Sequence, residues 1–62
     1  MCESDAYLKE ADGTEKLLAR DVALVEDLDG KIQMTDILGE KKNLKGEIEE
    51  INFLEHKIVI RP

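Results

Sequence analysis

Three glycine-marked turns, Asp12-Gly13, Asp29-Gly30 and Leu38-Gly39, cut this 62-residue chain into short runs. Aspartate and glycine tolerate the positive φ of a type I′ turn. Asp12-Gly13 and Asp29-Gly30 therefore read as two-residue hairpin turns, and Leu38-Gly39 as a weaker signal of the same kind. The runs between them alternate. Ala6 and Leu8 share one face of the first, with Tyr7 and Lys9 on the other. Ile32 and Met34 alternate with Lys31, Gln33 and Thr35; Leu44, Gly46 and Ile48 share a parity; Ile58 and Ile60 alternate with Lys57, Val59 and Arg61. Period-two spacing in short runs between turns predicts half-buried strands.

Two stretches, 17–28 and 44–54, also fit a helix. Leu18, Val22, Val25 and Leu28 fall at helical spacing, with Thr14 placed as an N-cap and Gly30 as a C-cap. Leu44, Ile48, Ile51 and Leu54 repeat the spacing. Pattern alone does not separate helix from strand in either. The turn spacing and the β-branched valines lean towards strand. Gly46 would cost a helix about 1 kcal/mol, whereas in a strand it marks a bulge or a sharp bend. An open all-β sheet leaves edges that invite pairing with other chains. The fold expected is therefore all-β: a single domain over residues 1–62, a small SH3-like antiparallel barrel of five to seven short strands, self-associated as a homodimer.

Size and charge narrow the function. A chain this short buries only about 60% of the surface its unfolded form exposes, and small domains often gain stability from metals or self-association. One cysteine makes no intrachain disulfide. No run approaches the roughly 18 apolar residues of a membrane span. Residues 1–12 carry acids where a signal peptide has a basic head, so a reducing cytoplasmic setting is expected. The formal charge of −6, from fifteen acidic and nine basic residues, disfavours binding to a phosphate backbone. Only Lys41, Lys42 and Lys45 come close together, and with one Tyr, one Phe and no Trp there is no platform for stacking bases. The sequence has no Ser-His-Asp constellation, and its four glycines are isolated from one another, so no phosphate loop forms. Cys2 and His56 could pair as nucleophile and base, but a chain end is poorly suited to pre-organised catalysis. No enzymatic activity is expected.

The sharpest chemical lead is Cys2. If Met1 is retained, its amine, the Cys2 amide nitrogen and the Cys2 sulfur can close two fused five-membered chelate rings on one ion. If Met1 is removed, the amine and sulfur of Cys2 still form one ring. Nitrogen with thiolate in a flat set suits Ni(II) or Cu(II). The plainer reading is a small buried hydrophobe. A single cysteine cannot complete a four-ligand zinc site, so further ligands must come from the chain start, from His56 or from a second chain. His56 reads chiefly as a surface-turn residue, although imidazole suits nickel. Glu3 and Asp5 read as solvated flanks of Cys2. Glu26, Asp27 and Asp29 form an acidic turn without EF-hand spacing. Met34 sits at core parity, where packing is expected rather than thioether ligation.

The order of these elements adds a further signal. Met1-Cys2, the turn at Asp12-Gly13, Leu17-Leu18 and Asp21-Val22 are followed by Asp29-Gly30 and Thr35-Asp36-Ile37-Leu38-Gly39-Glu40. Lys45-Gly46-Glu47-Ile48 and the run from Ile51 to Ile60 complete the series. Together they resemble the CooT family of small nickel-binding accessory proteins, linked to maturation of carbon monoxide dehydrogenase. The resemblance implies a small β-barrel, a homodimer and Ni(II) held through Cys2; Met1 enters as a nitrogen ligand only through the chelate rings at the chain start. Two Cys2 thiolates meeting at a dimer axis would serve one ion, and affinity would rise with pH as the ligands lose their protons. The implied partner is a nickel-enzyme maturation system. Some family members carry an RNA-binding label, which the charge balance here argues against. The alternative reading is a small-barrel RNA- or protein-interaction module in which Cys2 is incidental.

Overall fold

The computed structural model describes residues 3–62. Met1 and Cys2 lie outside the described residues. Six strands make one sheet without helix: β1 Ser4–Lys9, β2 Glu15–Asp27, β3 Lys31–Asp36, β4 Lys41–Lys45, β5 Glu47–Asn52 and β6 Lys57–Arg61. The spatial order is β4-β3-β2-β1-β6-β5. Every pairing is antiparallel except β1 with β6, which is parallel. That pairing differs from the antiparallel arrangement expected. It places the first and last strands side by side in mid-sheet, a long-range pairing that local turn signals do not encode.

The outermost strands, β4 and β5, are separated in the chain by Gly46 alone. Flat, a six-stranded sheet would hold its edges about 24 Å apart at the usual strand spacing. Two backbone steps span only about 7 Å. The sheet must therefore roll until its two margins meet at Gly46, whose N–H donates to the Gly30 carbonyl at 3.3 Å. Among the described residues no ladder joins β4 to β5; the margins meet at this corner. Gly46 has φ 155°, and a Cβ placed there would lie 2.6 Å from the Arg61 carbonyl oxygen. The bend expected at Gly46 is thus a corner that only glycine fits.

Both ambiguous stretches are strands. β2 runs for thirteen residues because it serves two partners, pairing with β1 through Val22 and with β3 from Val22 onward. A register shift between Val22 and Leu24 inverts the side-chain parity, so Val22 and Val25 both pack on the core. A bulge of this kind imitates helical spacing. A second shift, between Ile48 and Glu50, inverts the parity of β5, where Ile48 packs on the core and Ile51 stays half exposed. Ala6, Val22, Ile32, Met34, Ile58 and Ile60 are buried together, and Leu8, Leu18, Ala19, Leu44 and Ile48 close over them. Val59, assigned by alternation to the polar face, is buried as well. It lies between Tyr7 and Glu50 in the two neighbouring ladders.

The turns follow their side chains. Asp29 and Gly30 both take positive φ, and Leu28 N–H donates to the Lys31 carbonyl at 2.7 Å, giving the expected two-residue turn. Asp12-Gly13 instead belongs to a three-residue loop, closed by Glu10 N–H to the Thr14 carbonyl. There Asp12 Oδ1 accepts from Thr14 N–H at 2.9 Å, and Asp36 Oδ1 accepts from both Leu38 and Glu40 in the matching loop between β3 and β4. A local carboxylate acceptor has displaced the tighter turn.

Gly46→Ala is expected to lower unfolding stability by about 3 kcal/mol, because strain and a backbone clash coincide. Gly30→Ala, whose added Cβ meets nothing within 4 Å, is expected to cost about 1 kcal/mol. Urea denaturation of the two variants checks the contrast, and equal losses would refute the corner.

Candidate functional site at the head of the first strand

The chain enters the sheet at Ser4, and β1 is flanked on both sides, by β2 and by β6. Its head is fixed by a relay of backbone contacts and one carboxylate. Asp5 N–H donates to the His56 carbonyl at 2.9 Å. Asp5 Oδ1 accepts from Asp21 N–H at 3.2 Å, and the Asp21 carbonyl accepts from Ile37 N–H at 3.0 Å. Asp21 (φ 54°) sits where β2 changes partner, and His56 (φ 54°) sits where the chain turns into β6. Asp5, expected to be solvated, is instead the fastening of this kink. The relay gathers the head of β1, the bend of β2, the β3–β4 loop and the β5–β6 loop at one end of the molecule.

The candidate ligands divide accordingly. Cys2 and Met1, the residues assigned to metal, lie outside the described residues. His56 is an exposed turn residue, as expected, and its backbone is held against Asp5, three residues from Cys2. Met34 is buried in the core, and Glu26, Asp27 and Asp29 are exposed at the opposite turn. Glu3 Oε2 is buried with no hydrogen-bond partner among the described residues. Among those residues no three His, Cys, Asp or Glu side chains converge to hold a metal ion.

Two features of this end were not picked out from the sequence. The β5–β6 loop presents Phe53 and Leu54 at 81% and 94% exposure, and the β3–β4 loop presents Leu38 at 81%. A cavity of about 190 Å³ opens beside the β2 bend, with Ala19, Val22 and Met34 as its floor and Arg20, Lys41 and Lys42 at its rim. The available signal was an apolar pair directly before Glu55-His56, in a segment with no partner at core parity.

Lys57 ties the start of β6 to the start of β2. Its Nζ lies 2.6 Å from Glu15 Oε1 and 5.4 Å from the centre of the Tyr7 ring. The hydrogen bond to Glu15 raises the Lys57 pKa above its ordinary value, and the charges of Glu15, Glu55 and Glu50 add to this against desolvation.

The family model described as "CO dehydrogenase accessory protein CooT" matches residues 1–61. The chain belongs to the CooT family of CO dehydrogenase accessory proteins. It is 38% identical over 60 residues to a protein of Methanothermobacter thermautotrophicus named only as uncharacterized, covering 97% of this chain and 88% of that one. It is also similar to a crystal structure of a proposed CooT from Carboxydothermus hydrogenoformans. That match has a TM-score of 0.87 at 23% identity, covers 97% of this chain and 95% of the other, and establishes the shared fold.

Because the Lys57 pKa is raised in the folded chain, the stability it adds is complete below the ordinary lysine pKa and is lost as pH rises through the folded value. Lys57→Gln is expected to melt below the parent at pH 7, with the gap closing only above about pH 10.4. Thermal melts of both proteins between neutral and strongly alkaline pH test this. A gap that stays constant would show that the ion pair is not its source.

Proposed function

We propose that this protein is a nickel carrier or store for the maturation of a nickel enzyme such as carbon monoxide dehydrogenase. In this reading Ni(II) is cargo, bound by the Cys2 thiolate with nitrogen from Met1 and the Cys2 amide, at the interface of a homodimer in a reducing cytoplasm. The observation that carries the reading is the family match, which extends over residues 1–61 and so includes the chain's only thiol. The fold supports it in one respect. The strand that follows Cys2 is held on both sides and fastened at its head, so the ligand-bearing segment departs from a fixed point. A thiolate with amine or amide nitrogens in a plane is a fitting donor set for Ni(II). Two thiolates from two copies would satisfy the same ion.

Titration of an untagged sample with Ni(II) is expected to produce thiolate-to-metal charge-transfer absorption. For a shared site the signal saturates near one ion per two chains. Cys2→Ser is expected to abolish it without changing the circular dichroism of the sheet, and His56→Ala to leave it intact. Native mass spectrometry gives chain count, metal count and the state of Met1 together. Undiminished nickel binding by the Cys2 variant would overturn the assignment.

A further inference from the structure

The end of the molecule at which β1 begins carries a projection and a recess of matching chemistry. The projection is the β5–β6 loop. Phe53 and Leu54 are almost fully exposed, and Glu55 follows them. The loop is braced rather than slack: Asn52 Oδ1 accepts from Glu55 N–H at 3.0 Å, and the His56 carbonyl accepts from Asp5. The recess is the cavity at the β2 bend. Its volume, about 190 Å³, admits one apolar side chain, since a cavity of about 150 Å³ holds a benzene ring. Its floor is apolar and its rim is cationic. Lys42 is braced there by its bond to the Leu18 carbonyl at 2.7 Å.

Of the nine cations, five have no ion-pair partner among the described residues: Lys31, Lys45 and the three at the rim. Lys9, Lys16, Lys57 and Arg61 each sit in an ion pair. Among the described residues none of the three rim cations does, although fifteen acids are present in the sequence. Asp36 and Glu40 also line the wall, and Asp36 is engaged by the amides of its own loop. Three cations face two carboxylates, so the mouth stays positive on a molecule of net charge −6.

We propose that a second copy of this chain seats its Leu54, backed by Phe53, in this cavity and turns its Glu55 towards Arg20, Lys41 and Lys42, each copy doing so to the other. The inference rests on the homodimer in the reading above and supplies its contact surface. Complementarity favours a second copy: an apolar-apolar-acidic tip meets an apolar floor with a basic rim. The free sheet margins point the same way, because any two-fold pairing of like edges is repulsive. β4 against β4 opposes Lys41, Lys42 and Lys45 to themselves, and β5 against β5 opposes Glu47, Glu49 and Glu50. Two reciprocal insertions about a two-fold axis close the assembly without leaving a site for further growth.

The test is the association constant of the untagged full chain, measured by sedimentation equilibrium or native mass spectrometry with and without added salt. The parent is expected to dimerise. Leu54→Ser, at a position that packs on nothing within its own chain, is expected to raise the dimer Kd by about tenfold or more, and Phe53→Ser to act in the same direction. Glu55→Lys should weaken the dimer likewise. Combining it with Lys41→Glu should recover much of the loss, which a general effect on folding would not do. Variants that dimerise as tightly as the parent would overturn the proposed surface and leave the dimer itself standing. A monomeric parent would overturn both. Loss of dimer in Glu55→Lys without recovery in the double variant would overturn the charge pairing.

Discussion

The two outer strands of the sheet are joined through one residue, and that covalent constraint governs the rest of the molecule. Gly46 cannot lie 24 Å from itself, so the sheet rolls. Rolling turns one face of each strand inward and makes a shared core from Ala6, Ile32, Ile58 and their neighbours. It also explains why β2 is long and bent. A strand that must pair with β1 at one end and β3 at the other needs a kink between them, and Asp21 supplies it at positive φ. The kink is held by the Asp5 carboxylate, so the head of β1 and the curvature of the sheet are parts of one arrangement.

Charge is sorted by the same topology. The chain leaves Gly46 with lysines on one side of it and glutamates on the other, and these become the two margins of the rolled sheet. A basic margin and an acidic margin each resist pairing with their own kind, a common protection for exposed strand edges. Two of the four ion pairs, Lys9–Glu49 and Arg61–Glu47, reach the acidic margin and two lie about the β1–β2 hairpin, while among the described residues Arg20, Lys41 and Lys42 around the recess beside β2 are in none. The more exposed of these pairs contribute little stability. Their arrangement bears more on what the surface can meet than on whether the sheet forms.

How much of this could be read from the residues depended on whether the signal was local. Asp29-Gly30 makes its turn from its own backbone preferences, and Ile32 with Met34 and Ile58 with Ile60 face the core as alternation requires. Gly46 declared its bend because no other residue tolerates that geometry. Asp12-Gly13 was harder, since an aspartate that accepts a hydrogen bond from Thr14 favours a longer loop than the same dipeptide makes at 29–30. Bulges concealed β2 and β5, because one extra residue converts a spacing of two into a spacing that a helix also fits. The parallel β1–β6 pair, the burial of Val59 and the fastening by Asp5 are all long-range, and nothing near them in the chain announces them. For the candidate site, the sequence offered only the donor chemistry of Cys2 and its neighbours, and Cys2 lies outside the described residues. The features at the same end of the molecule, the exposed Phe53-Leu54 loop and the basic-rimmed recess, exist only once the sheet is rolled.

Chain reach sets a strict condition on the two proposals taken together. Cys2 lies two residues before Ser4, so its Cα can sit no more than about 7 Å from the point where β1 becomes fixed. For two copies to share one ion, the heads of their first strands must therefore approach within roughly 14 Å, allowing in addition only the lengths of two cysteine side chains. Edge-to-edge association at β4 or β5 does not meet that condition in any obvious way, since both margins lie away from β1 in the sheet order. Association of the β5–β6 loop with the β2 bend would meet it, because Asp5 is hydrogen-bonded both to the His56 carbonyl in that loop and to the Asp21 N–H at that bend. In a dimer joined by the proposed surface, the same contact would carry the two thiols towards each other.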